Sequence, residues 1–72
     1  MFKVYPNPVS SGSVTITSQF TETITATVFD ILGKEVINER VNNNMLDVSL
    51  LNKGIYLMKL TQNGASATQK LV

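Results

Sequence analysis

Apolar and hydroxylated residues alternate along this chain in short runs separated by turn-forming residues. Val14-Thr15-Ile16-Thr17 has the period of two, and so does Ile24-Thr25-Ala26-Thr27-Val28. A pleated strand sends successive side chains to opposite faces, so each run predicts a strand with one buried side. The branched Cβ atoms of Val, Ile and Thr suit that pleat, and the threonines belong on the wetter face. The pattern predicts about seven short strands, roughly at residues 2–5, 13–18, 23–29, 34–40, 45–49, 55–61 and 65–72.

The connections follow from turn chemistry. Asp30-Ile31-Leu32-Gly33 puts Asp first and Gly last, as in a type I turn closed by a left-handed glycine, so strands three and four should form a hairpin. Asn63-Gly64 tolerates positive φ at both positions and predicts a two-residue turn between the last two strands. Asn42-Asn43-Asn44 reads as a looser polar connection. Ser49-Leu50-Leu51-Asn52-Lys53-Gly54 has room for a single helical turn ended by a left-handed Gly54. No segment sustains a helical period. Turn signals spaced at about 8 to 12 residues predict an all-β fold, an Ig-like antiparallel β-sandwich.

Parity assigns the core. Val14 and Ile16 share one face, Ile24, Ala26 and Val28 another, and Leu46 and Val48 a third. In Gly54-Ile55-Tyr56-Leu57-Met58-Lys59-Leu60 both parities are apolar, which predicts a central strand. Lys59 marks its own parity as the shallower one, so Tyr56, Met58 and Leu60 are expected to lie deeper.

At 72 residues the chain is expected to be a single domain, 1–72, with residues 1–12 as an extended lead-in. A chain of this size buries only roughly 60% of the surface it exposes when unfolded, so the core is thin. There is no cysteine, hence no disulfide and no thiolate ligand. The net charge is +1, and Lys3, Lys34, Arg40, Lys53, Lys59 and Lys70 are scattered, so no basic stripe suggests nucleic acid. No apolar run approaches the roughly 18 residues of a membrane span. The start lacks a charged region followed by an apolar stretch, so any export leader is expected upstream.

Candidate chemistry is sparse. Without His or Cys, nucleophilic triads and imidazole or thiolate metal sites are excluded. Glu35 and Glu39 share a parity about 13 Å apart along one strand, too far to share a proton. Asp30 is expected to cap its own turn by accepting a backbone hydrogen bond two residues on. Asp30 or Asp47 could serve an oxygen-only calcium site, but no calcium-loop spacing surrounds them. The four glycines fall singly at turns and form no phosphate cradle. Tyr56 is expected to fill the core and Tyr5 to pack beside the prolines. No cofactor, metal or catalytic residue is expected.

The opening Tyr5-Pro6-Asn7-Pro8 is stiff and poor in donors. Proline fixes φ and extends the residue before it, so this segment suits an edge strand with a protected end, or a junction to a preceding protein. With Asp30 to Gly33 (DILG), Leu50 to Tyr56 (LLNKGIY) and the closing Lys70-Leu71-Val72, it resembles one family over essentially the whole chain. That family is the type A C-terminal sorting domain of cargo proteins of the type IX secretion system of Bacteroidetes.

The resemblance implies an Ig-like sandwich at the C-terminus of a protein that reaches the periplasm by an ordinary leader. It implies an outer-membrane translocon and shuttle protein that export the attached cargo to the cell surface or medium. It further implies a surface sortase that removes the domain upstream of Tyr5 and joins the cargo to an anionic lipopolysaccharide. The family's N-terminal motif falls on Tyr5, Pro6, Asn7 and Pro8, and its central turn on Asp30 and Gly33. Its glycine-tyrosine motif falls on Gly54 and Tyr56, and its terminal segment on Lys70, Leu71 and Val72. Many members carry a further basic residue after the last apolar pair, where this sequence reads Leu71-Val72.

Two readings of the terminal segment stand side by side. The translocon reads the last strand with its carboxylate by strand addition, or Leu71 and Val72 complete the core. An unprotected edge strand also allows self-association. The other classes to weigh are an Ig-like carbohydrate-binding module and a structural spacer. The first calls for exposed aromatics, with Tyr5 as the one candidate; the second calls for repeats.

Overall fold

The computed structural model describes residues 2–5 and 12–72. Among them the chain forms seven strands and no helix: β1 (Lys3–Tyr5), β2 (Ser13–Thr17), β3 (Thr25–Phe29), β4 (Glu35–Arg40), β5 (Met45–Asp47), β6 (Tyr56–Gln62) and β7 (Ala65–Leu71). Each predicted strand is present within about two residues of its expected ends. Pairing is antiparallel throughout, in a three-stranded sheet of order β1-β2-β5 and a four-stranded sheet of order β4-β3-β6-β7. This is the two-sheet, Ig-like arrangement that the strand count and turn spacing predicted.

The alternation of side chains explains why the sheets pack. Val14 and Ile16 of β2 and Leu46 and Val48 in or beside β5 are buried. With them in one core cluster are Ile24, Ala26, Val28, Met58, Leu60 and Leu71 from the four-stranded sheet. The threonines between them are half-buried on the outer faces. β6 lies between β3 and β7, as its two apolar parities predicted. Met58 and Leu60 are fully buried, whereas Tyr56 is only partly so and packs against the core from its rim. The parity is as expected, with Leu57 and Lys59 exposed on the other face; only the expectation that Tyr56 fills the core is corrected, because β6 starts there, at the end of the sandwich.

Two connections differ from expectation. The asparagine run is a tight turn, with Asn43 at φ 54° and Asn44 at φ 62°. Asn42 and Met45 exchange both backbone bonds across it, at 3.3 and 3.0 Å. Asn tolerates this left-handed pair better than most side-chain-bearing residues, so two of them replace the usual Asn-Gly. Residues 49–54 form no helical turn. Leu51 N–H donates to the Val48 carbonyl at 3.1 Å, a single β-turn. Gly54 lies at φ +158°, close to full extension, and so does not terminate a helix in the left-handed region.

Candidate functional site

The residues singled out in the sequence gather at one end of the sandwich. The β3–β4 turn is held by Asp30. Its Oδ1 accepts from the backbone N–H of Leu32 and of Lys34, both at 2.9 Å. Its carbonyl accepts from Gly33 N–H at 3.0 Å, and its own N–H donates to the Lys34 carbonyl at 2.9 Å. Gly33 takes φ +86°, the left-handed residue that closes this turn. Asp30 is therefore an internal acceptor of its turn, as the local reading expected.

The same end receives the β5–β6 connection. Asp47 Oδ1 accepts from Ser49 N–H at 2.9 Å, and hydrogen bonding from Ser49 holds the Asp47 carboxyl below its ordinary value of 3.8. Bonds to the charged form favour that form, so this contribution to stability is present above the ordinary value and is lost as pH falls through the lowered one. Tyr56 Oη donates to the Asn52 carbonyl at 2.7 Å, which fastens the connection to the first residue of β6. Gly54 sits beneath the ring: a Cβ there would lie 3.9 Å from Tyr56 Cε1, an ordinary contact.

Between the β5–β6 connection and the end of β7 lies a cleft of about 380 Å³, with Val48, Leu51, Gly54, Tyr56, Leu71 and Val72 among its lining. The structure thus brings Gly54, Tyr56, Leu71 and Val72 to one place. Leu71 pairs with Tyr56 across the β6–β7 ladder and is buried at 1% exposure, whereas Val72 remains 45% exposed. Lys70 is exposed on the outer face, opposite Leu57. Leu57 in turn pairs with Phe29, next to the Asp30 turn. Tyr5 pairs with Thr15 at the edge of the other sheet and is 50% exposed. Pro6, Asn7 and Pro8, and with them the packing of Tyr5 beside the prolines, lie outside the described residues.

Sequence reasoning missed two features. Gln62 is buried and clamps the β2–β3 connection: its Nε2 donates to the carbonyls of Glu22 (2.6 Å) and Phe20 (3.4 Å), and its Oε1 accepts from Ser18 Oγ (2.6 Å). Its parity with Met58 and Leu60 was the available signal. The second is that Ile31 and Leu32 stand out from the turn tip at 80% and 88% exposure. Two aliphatic residues between a turn's Asp and Gly are themselves unusual.

Two antiparallel sheets packed on one core, with Gly54, Tyr56, Leu71 and Val72 around a cleft at one end, make a small β-sandwich module. The chain belongs to the family described as secretion system C-terminal sorting domain, which matches residues 3–72. In this family the domain is the C-terminal sorting signal for type IX secretion, and the family is not one of enzymes. The domain acts with the type IX machinery on an attached cargo protein, which is exported to the cell surface or secreted. A comparison with curated proteins gave no match.

Proposed function

We propose that residues 1–72 work as one sorting unit behind a cargo that has crossed the periplasm. An outer-membrane translocon and its shuttle protein receive the unit, and a surface sortase removes it. Within it, Lys70 and Val72 are read directly, whereas Leu71, Gly54 and Tyr56 hold the end of the sandwich in shape. Tyr5 to Pro8, Asp30 and Gly33 serve the framework.

The observation that supports this reading is the placement of the last strand. β7 is the edge of the four-stranded sheet, and its residues 65–68 are exposed on both faces. It ends with one buried side chain, Leu71, followed by the half-exposed Val72. An edge strand can accept a further strand through main-chain bonds, with side chains at alternate positions supplying selectivity. Leu71 belongs to the core and Val72 is half exposed, which supports a structural role for the first and direct reading for the second.

The test is a periplasm-directed fluorescent protein with the full chain at its C-terminus, expressed in a type IX bacterium and in a strain lacking the translocon. The expected outcome is translocon-dependent export that Val72→Ser or Lys70→Gln reduces while the domain stays folded, with a stability change within the roughly 0.5 kcal/mol usual for a surface site. Leu71→Ala is expected to lose about 3 kcal/mol of stability, the usual cost of a large-to-small change in a core. Wild-type reporter retained in the periplasm with the domain folded would overturn the sorting route. Export unaffected by both surface variants would overturn direct reading of the terminal segment.

A further inference from the structure

We infer that the β6–β7 turn is a site of spontaneous covalent modification: Asn63 deamidates through the Gly64 nitrogen, and the isoaspartyl product loosens β7. The inference goes beyond the sorting reading and does not depend on it. Asn63 (φ 48°) and Gly64 (φ 84°) are the exposed central residues of the turn that joins Gln62 to Ala65. The Asn63 side chain and the Gly64 N–H have no hydrogen-bond partner within the described residues. A Cβ added at Gly64 would meet nothing within 4 Å. The side-chain amide therefore has room to close on the next backbone nitrogen.

The chemistry needs only water and base. Base takes the proton of the Gly64 N–H, and the nitrogen attacks Asn63 Cγ. The adduct expels the side-chain nitrogen, which takes up a proton and leaves as ammonia, and a succinimide ring remains. Water then opens the ring at either carbonyl. Breaking the new N–Cγ bond gives aspartate. Breaking the original peptide bond gives isoaspartate, with the chain now running through Cβ and Cγ. Water enters, ammonia leaves, and nothing is oxidised or reduced.

The chain carries its own comparison. Asn43 and Asn44 form a second tight turn with the same left-handed pair, at φ 54° and 62°. There the attacking nitrogen belongs to Asn44, whose Cβ crowds the approach, whereas Gly64 has none. The other described asparagines are placed worse. After Asn44, the Met45 N–H is already engaged with the Asn42 carbonyl at 3.0 Å. Asn38 lies inside β4, paired with Thr27, where the ladder holds the backbone extended. Asn42 and Asn52 precede Asn43 and Lys53, which carry side chains.

Isoaspartate lengthens the main chain inside a turn of two residues. The pairs Gln62↔Ala65 and Thr61↔Ser66 leave no slack for it. Gln62 is anchored, because its amide clamps the β2–β3 connection. Ala65 is not: β7 is an edge strand paired only with β6, and residues 65–68 are exposed on both faces. The strain falls on β7, which frays from the turn.

The test ages the folded full chain in warm, mildly alkaline buffer beside Gly64→Asn, which copies the asparagine turn, and Asn44→Gly, which copies the β6–β7 turn. Peptide mass spectra locate the amide-to-acid exchange, and isoaspartyl methyltransferase labels the isoaspartyl fraction. Asn63 of the wild type is expected to convert about tenfold faster than Asn43, a modest share of what a hindered approach costs. Gly64→Asn is expected to remove that lead, and Asn44→Gly to raise Asn43 toward the rate of Asn63. Aged wild type is expected to melt lower than fresh protein. Fresh Asn63→Asp, which carries the acid on an unaltered backbone, is expected to melt like fresh wild type. Asn63 converting no faster than Asn43, or as fast in Gly64→Asn as in wild type, would overturn the site. Converted wild type that melts like fresh protein, or Asn63→Asp that melts as low as the aged chain, would overturn the loosening of β7 by the backbone change.

Discussion

Gln62 shows how much one side chain carries in so small a core. It is 4% exposed, on the inward parity of β6, and it satisfies both ends of its amide against the β2–β3 connection. Ser18 Oγ both donates to it and accepts from Phe20 N–H at 3.1 Å, so the two side chains shape residues 18–22 together. Truncating a buried, fully bonded polar group costs more than the net worth of its bonds, because its partners are left desolvated. Gln62→Ala is expected to lower the unfolding free energy by about 2 kcal/mol. In a domain of this size that is a fall of roughly 10 °C in melting temperature. Urea denaturation checks it; a loss below about 0.5 kcal/mol would mean that solvent replaces the clamp. The role was legible only in part, since parity places Gln62 inside the sheet while polarity argues for the surface. The carbonyls of Phe20 and Glu22 that resolve the conflict are about 40 residues away in sequence.

The strands were readable because each buries one face, which forces a period of two; the connections were readable only where their chemistry is unambiguous. Asp30-Gly33 and Asn63-Gly64 name their turns through residues that accept positive φ. Asn43-Asn44 makes the same tight geometry without glycine, which is why it resembled a loose linker. Gly54 was misread in the opposite sense, as a left-handed residue, although it is nearly extended and lies against Tyr56. Gly12, Gly33 and Gly64 all take φ between 82° and 86°, so alanine at any of them carries backbone strain of about 1 kcal/mol. Gly12 adds crowding: a Cβ there would meet Ser49 Cβ at 3.2 Å, while Gly33 and Gly64 face open space. Its carbonyl also accepts from Val48 N–H at 2.8 Å, which closes the approach of β2 to the chain leaving β5. Alanine substitution is therefore expected to destabilise most at Gly12, by thermal melts of the three variants. Equal losses at all three would show that Ser49 moves aside without cost.

The two ends of the sandwich are built to different specifications. One end holds residues 17–24, the asparagine turn and Gln62; it has a polar lining and is tied down by the Gln62 clamp. The other holds the Asp30 turn, the apolar cleft, Tyr56 and the last residues of β7. A sorting signal must keep its fold and still leave a surface for the machinery, and a thin two-sheet core allows both if the two demands are separated along the strands. Phe20 tests that separation, because at 57% exposure it is the large apolar residue most exposed at the clamped end. Its structural bonds come from its backbone, which donates to Ser18 and accepts weakly from Gln62, so Phe20→Ser retains them. Stability is expected to change by less than about 1 kcal/mol, the usual range for a surface site. Export of the reporter fusion is expected to match wild type. If Phe20→Ser blocks export as strongly as Val72→Ser, the machinery grips both ends, and the division of labour along the sandwich fails.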